Sequence, residues 1–277
     1  MMEVIGVDLG GTKILSAKFE NNELIDSYRL IIPSKGTELE ILSTVIKSIE
    51  IHMSSSISAI GIGVPSIVDQ VNGIVYDVQN IPSWKKVNLK EILQNHFNIP
   101  VFVNNDANCF ALGESNFGLG KEQNDFIGIS IGTGVAGGVI INNKLYNGSN
   151  SGAGEFGMLP YLDKNFEYYC SGQFFQNEFK IKGEDVYFDA KSGDSKALDM
   201  FNQFGSHLGE MIIHILYTYD PELIILGGSV SKGYSFFKTS LNSALESFVY
   251  KPSIDKLKIK VSVDPDIAVK GAAALCC

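Results

Sequence analysis

The stretch "DLGGTK" crowds Gly10, Gly11, Thr12 and Lys13 into one turn, and "SIGTGVAGG" repeats that chemistry at Gly132, Thr133 and Gly134. Glycine lets the backbone approach a ligand closely and take positive φ, consecutive amides form an anion-binding concavity, and threonine adds a hydroxyl donor. Both turns therefore suit phosphate. "PELIILGGSVS" reads as an apolar strand ending in Gly227 and Gly228, a surface on which adenine or ribose can lie, or an ordinary strand-to-helix turn. Asp106, in "VNNDANCFALGE", stands where a strand passes into a helix, a position for an N-cap carboxylate as well as for a catalytic one. Glu155, in "GAGEFGM", is set among glycines that let its carboxylate face either a polyhydroxylated ligand or solvent.

Two other phosphate motifs are excluded by their surroundings. "GTGVAG", Gly132 to Gly137, matches the dinucleotide fingerprint G-x-G-x-x-G, but the β-type run "GVIINNKLY" follows it. A dinucleotide turn must open a helix, whose amides and dipole meet the pyrophosphate. No G-x-x-x-x-G-K-[ST] segment occurs, so the P-loop is excluded as well.

The elements that must position these groups alternate between strand and helix. Period-two patterning predicts strands over Glu3 to Leu9, Ile14 to Phe19 and Leu24 to Ile32, joined by glycine and asparagine turns. A helix over about Glu38 to Met53, the strand "ISAIGIGV", a Gly73 hairpin, a helix near Leu89 to Phe97, the strand "PVFVN" and a helix opening at Asp106 follow. The class is α/β. "IGVDLGGTKILSAKFENNEL" from Ile5 is echoed by "IGISIGTGVAGGVIINNKL" from Ile127. Each reads as strand, Gly-Thr turn, strand, asparagine turn, strand, which predicts a duplicated unit and two similar halves whose equivalent turns line one ligand.

Composition narrows the class of partner. The 277 residues are 45% hydrophobic, enough for one large domain or two smaller ones. No apolar run approaches the roughly 20 residues of a bilayer span, and no leader precedes the first strand, so a soluble cytoplasmic protein is expected. A net charge of -9 without a Lys/Arg run argues against nucleic acid and anionic membrane. The four cysteines, at 109, 170, 276 and 277, have neither metal-ligand nor disulfide-framework spacing.

Taken in order, "DLGGTK", "GIGVPSIVD", "NIPSW", "NNDANCFALGE", "SIGTGVAGGVI", "GAGEFG", "LGGSVS" and the closing "AVKGAAAL" resemble the ROK family of bacterial sugar kinases and sugar-responsive repressors nearly end to end. The resemblance implies the actin-like, ribonuclease-H-like ATPase fold, with two α/β domains closing over a nucleotide and a sugar. We place the first at 1–112, completed by a C-terminal helix within 266–277, and the second at 113–265. It further implies ATP-dependent phosphorylation of a hexose or N-acetylhexosamine hydroxyl, most simply O6, with a homodimer as the assembly. Asp106 then looks like the general base, and Asn105 and Glu155 like sugar ligands. Asp8 would orient Mg²⁺ through water, Gly10 to Lys13 and Gly132 to Gly134 would line the phosphates, and Gly227 and Gly228 would border the adenosine. Asn80 is a sugar-site candidate by resemblance alone.

One segment departs from the family pattern. Many members carry histidine where this chain has Met158, followed by a cysteine-rich loop that fixes structural zinc. Here "MLPYLDKNFEYYCSGQFF" holds a single thiol, Cys170, so no zinc is expected. "FEYYCSG" resembles the stretch after that loop and makes Glu167 the third sugar ligand. Met158 either fills space left by the loop or meets an apolar substituent of the sugar. Trp84 fits a packing anchor, and Phe174, Phe175 and Phe179 fit a helical core stripe. The histidines at 52, 96, 207 and 214 show no i,i+4 pairing and no carboxylate partner legible from sequence. A sugar-binding regulator without catalysis is the alternative. A DNA-binding repressor would need a helix-turn-helix segment, and with the phosphate motif starting within ten residues of Met1 none is expected.

Overall fold

The computed structural model describes residues 3–78 and 80–277. The first sheet begins as an antiparallel meander of β1 (Glu3–Leu9), β2 (Lys13–Glu20) and β3 (Glu23–Ile31). Asn21 and Asn22 join β2 to β3 with φ of 50° and 70°, the left-handed pair that matches strand twist in a two-residue hairpin. Helix α1 (Glu38–Glu50) starts at a reciprocal capping box between Thr37 and Glu40 and buries Ile41, Leu42, Val45 and Ile49. It ends three residues short of the expected Met53. Strand β4 (Ile57–Val64) adds parallel to β1. A small sheet of β5 (Ile67–Asp69), β6 (Ile74–Tyr76) and β7 (Lys86–Val87) follows, and then α2 (Leu89–Phe97), β8 (Val101–Asn105) and α3 (Asp106–Phe117). The large sheet has the order β3-β2-β1-β4-β8. Trp84 is fully buried in the core beneath it, with Ile81, Val75 and Leu89, in keeping with a packing role.

The pattern then recurs. Strands β9 (Phe126–Ile131), β10 (Val135–Ile141) and β11 (Lys144–Tyr146) repeat the opening meander, again with two left-handed asparagines, Asn142 and Asn143, in the second turn. A two-stranded hairpin of β12 (Pro160–Tyr161) and β13 (Lys164–Asn165) leads into α4 (Phe166–Cys170), α5 (Gln173–Phe179), α6 (Gly183–Lys191) and α7 (Ser195–Tyr219). The chain continues through β14 (Leu223–Gly227), α8 (Tyr234–Leu245), α9 (Lys251–Lys256), β15 (Lys258–Val261) and α10 (Ile267–Ala274). The second sheet runs β11-β10-β9-β14-β15, the order of the first sheet strand for strand. Asp194 caps α7 by accepting from Ala197 N–H, and the helix buries an apolar stripe through Phe201, Phe204, Leu208, Met211 and Ile215. Among the described residues no helix is long and apolar enough to cross a membrane.

The chain divides into two compact units, residues 1–122 with 138–153 and 264–277, and residues 123–137 with 154–263. A boundary at 112/113, expected from the sequence, would cut α3 in two. The helix is continuous to Phe117, and Gly113 lies so close to Ile267 that an added Cβ would fall 2.1 Å from its carbonyl oxygen. Residues 138–153 also stay with the first unit, because Gly138 packs on Ala107 and Ala111, and Ser151 Oγ donates to Val68 O. Helix α10 lies on α3, β1 and β4 in this unit. That approach requires glycine: a Cβ at Gly271 would sit 1.7 Å from Cys109 O, and one at Gly61 1.8 Å from Ala272 O.

Candidate active site

In the first unit the strand-to-helix junction separates two roles that the sequence leaves together. Asn105 is the N-cap of α3: its Oδ1 accepts from Ala107 N–H at 2.8 Å and Asn108 N–H at 3.3 Å, while its Nδ2 donates to Ser66 O at 3.1 Å. Asp106 occupies the first helical position, and its Oδ1 accepts from Ala107 N–H at 2.8 Å. Capping therefore falls to the amide, and the carboxylate gains the favourable field of the helix N-terminus. Asn105 is buried, with two bonds to its Oδ1 and one from its Nδ2, which leaves one amide hydrogen to donate to a sugar. Beneath it, Asn104 Oδ1 accepts from Asn105 N–H at 2.8 Å and Asn108 Nδ2 at 3.0 Å, and Asn104 Nδ2 donates to Asn147 Oδ1 at 3.1 Å. Sequence reasoning missed Ser66, Asn104 and Asn147; the Asn104–Asn105 doublet was the one available signal.

Asp8 lies near the C-terminal end of β1, in register with Gly63 of β4. A Cβ at Gly63 would stand 3.0 Å from Cys109 Sγ and 3.5 Å from Asp106 Cα, so both carboxylates flank one small region. Burial pushes the Asp8 pKa up to about 6, with the Arg29 guanidinium drawing it partly back. The Cys109 thiol is pushed well above its ordinary range by burial and then by the charges of Asp8 and Asp106. The first Gly-Thr turn is closed by Gly10 N–H donating to Lys13 O at 2.9 Å, and Thr12 and Lys13 are exposed. Lys13 begins β2. Asn80 packs against this turn, since a Cβ at Gly11 would lie 2.4 Å from Asn80 Cβ.

In the second unit Gly132 N–H donates to Gly134 O at 2.9 Å, Gly172 N–H to Gly132 O at 2.8 Å, and Gln173 Nε2 to Thr133 O at 2.9 Å. Strand β10, and no helix, follows the turn, as the rejection of a dinucleotide site requires. Gly227 pairs with Ser130 at the head of the same turn. Gly228 has φ of 82°, and a Cβ there would lie 2.3 Å from Ile131 O. A cavity of about 620 Å³ opens beside these residues, lined by Gly132, Thr133, Ser229, Phe175, Tyr187 and Lys182 among others. Phe174 and Phe175 are buried on α5, yet Phe175 also serves as cavity wall, a use the core-stripe reading did not anticipate. Sequence gave no signal for Tyr187 or Lys182, because nothing local links them to a turn 50 residues away.

Glu155 precedes a short 3-10 turn, Phe156–Met158, and Glu167 lies in the first turn of α4. Burial raises both pKa values; Glu155 is raised further by the charge of Glu167, and Val135 N–H, donating to Glu167 Oε2 at 3.3 Å, partly offsets the rise there. The pair therefore lies together within this unit. Met158 is 42% exposed, so it does not fill a buried gap. The histidines do find partners: His52 Nδ1 lies 3.5 Å from Asp26 Oδ2, and His96 Nε2 3.0 Å from Glu50 Oε1. Sequence separations of 26 and 46 residues hid both pairs. His207 Nδ1 meets the Tyr161 hydroxyl at 3.1 Å. Among the described residues no group of three or more His, Cys, Asp or Glu forms a metal site.

The ROK family profile matches residues 4–277. The chain is 32% identical over 269 residues to the xylose repressor of Bacillus spizizenii, covering 89% of this chain and 69% of the repressor. It is 29% identical over 262 residues to the glucokinase of Streptomyces coelicolor, covering 82% of each. A ROK family glucokinase from Streptomyces griseus, solved with glucose and AMPPNP, superposes with a TM-score of 0.85 at 26% identity, covering 99% of this chain and 98% of that one. The chain belongs to the ROK family and has its actin-like, ribonuclease-H-like ATPase fold.

Proposed function

We propose that this protein is an ATP-dependent sugar kinase that phosphorylates a hydroxyl, O6 in the simplest case, of a hexose or N-acetylhexosamine. The observation that carries the reading is the division of labour at the head of α3. Asn105 makes the cap hydrogen bonds, so the Asp106 carboxylate is not needed for capping. Asp106 accepts the proton of the sugar hydroxyl as its oxygen bonds to the γ-phosphorus, and the bond from that phosphorus to the β,γ-bridging oxygen breaks, releasing ADP. Such a transfer requires positioning and charge neutralisation and little covalent chemistry. The turns at Gly10–Lys13 and Gly132–Gly134 hold phosphate oxygens, the cavity beside Gly227 and Gly228 takes the nucleoside, and Glu155 and Glu167 accept from sugar hydroxyls.

Mg²⁺ characteristically takes one or two carboxylates together with phosphate oxygens and waters. Asp8 fits that demand, as an oxygen donor whose ionised form is disfavoured by burial until a cation offsets it. When bound, the ion would neutralise charge on the phosphates. The alternative, a sugar-binding regulator without turnover, is favoured by the 32% identity to a xylose repressor.

The test is ADP release with Mg²⁺ and ATP against glucose, fructose, mannose, N-acetylglucosamine and N-acetylmannosamine. Sugar-dependent turnover that falls at least about 100-fold in Asp106→Asn is the expected outcome. Sugar binding without turnover on any of the five would transfer the assignment to the regulator.

A further inference from the structure

Glu167 is seated on the second Gly-Thr turn itself. Its Oε2 accepts from Val135 N–H, the first amide beyond Gly134, and a Cβ at Gly134 would lie 2.4 Å from the same oxygen. The turn cannot easily withdraw, because Gly172 N–H and the Gln173 side chain hold the Gly132 and Thr133 carbonyls. The carboxylate's support is also firm. Asn165 Oδ1 caps α4 by accepting from Tyr168 N–H, Phe166 stacks on Tyr161 at 4.3 Å between ring centroids, and Tyr169 packs against His207 at 4.8 Å. Glu155 adds a second carboxylate, whose pKa is raised by burial and then by the Glu167 charge. A phosphate entering this turn meets a carboxylate already on the amides.

Resting on the kinase reading above, we propose that Glu167 is an electrostatic gate, its charge weakening nucleotide binding at Gly132–Gly134 until a sugar hydroxyl engages it. Two like charges in a partly desolvated site repel far more than in water. A hydroxyl donating to Glu167 disperses its charge and competes with Val135 N–H for Oε2. Sugar therefore tightens nucleotide binding, and by reciprocity nucleotide tightens sugar binding by the same factor.

The test is calorimetric titration of Mg²⁺·ADP into wild type and Glu167→Gln without sugar, with folding of both followed by thermal unfolding. Glutamine keeps the size of the side chain and an acceptor for Val135 N–H while removing the charge. The expected result is an ADP Kd roughly three- to tenfold lower in the variant. A second arm, independent of the variant's folding, titrates ADP into wild type with each of the five sugars; at least one is expected to lower the Kd by a similar factor. ADP bound no more tightly by folded Glu167→Gln, or equally by wild type with and without every sugar, overturns the gate and leaves the kinase reading standing. No ADP binding by wild type under any condition overturns both.

Discussion

At Asp8, burial works against the ionised carboxylate and so against stability at neutral pH. Its pKa is raised from 3.8 to about 6 by burial. Because the folded value lies above the unfolded one, the native state holds the proton more tightly: the stabilisation is fully present below pH 3.8 and is lost as pH rises through 6. Near pH 8 the native chain carries an ionised carboxylate that it solvates poorly. Asp8→Asn removes that charge while keeping shape, so the variant should be more stable than wild type by about 1–3 kcal/mol at pH 8 and indistinguishable from it near pH 3. Urea unfolding at the two pH values checks this, and on the kinase reading proposed above the rate should fall as stability rises. Equal stability at pH 8 would show that Asp8 is better solvated than its surroundings indicate.

At the scale of elements, the first unit depends on how closely α10 approaches α3 and β4. Glycines permit this, Gly271 facing Cys109 O, Gly113 facing Ile267 O and Gly61 facing Ala272 O. Carbonyl oxygens cannot move aside as a side chain can, so even one methyl group has to push a helix. Gly271→Ala gains helix propensity of about 1 kcal/mol and should still lose about 1–3 kcal/mol net through overpacking. The expected signature is a lower urea midpoint with an unchanged m-value. Gly193, where an added Cβ meets nothing within 4 Å but φ is 88°, is the comparison site: alanine there would be strained by backbone conformation, not by crowding. Separate origins of cost should appear as additive effects in the double variant.

For the whole molecule, the family resemblance points to a homodimer, which we expect in solution. Light scattering should then give about twice the chain mass of 30.2 kDa, at concentrations well above any dissociation constant. A mass of one chain would remove this expectation without touching the assignment of Asp106. The duplicated sheet order is an independent property of the molecule. Position for position, β3-β2-β1-β4-β8 recurs as β11-β10-β9-β14-β15, and each meander turns on two left-handed asparagines, 21 and 22 in one, 142 and 143 in the other.

That duplication was readable because its causes are local. Alternation of apolar residues, glycine in tight turns and paired asparagines at hairpins act over a few neighbouring residues, and so strand and helix ends such as Ile57–Val64 and Leu89–Phe97 were legible. By itself the sequence also determined that the Gly132 turn opens a strand, which removed the dinucleotide reading. It offered Asp106 as the cap and did not single out its neighbour, since both types cap helices and they are adjacent; only the backbone path, with Asn105 extended and Asp106 already helical, gave the role to Asn105. Nor could it reveal that Glu167 rests on Gly134 and Val135, that Asn80 packs on Gly11, or that Phe175 and Tyr187 share a cavity wall with Thr133. Those contacts join residues some 30 to 70 positions apart. They are set by how sheets, helices and loops pack together, and no short-range pattern in the chain records them.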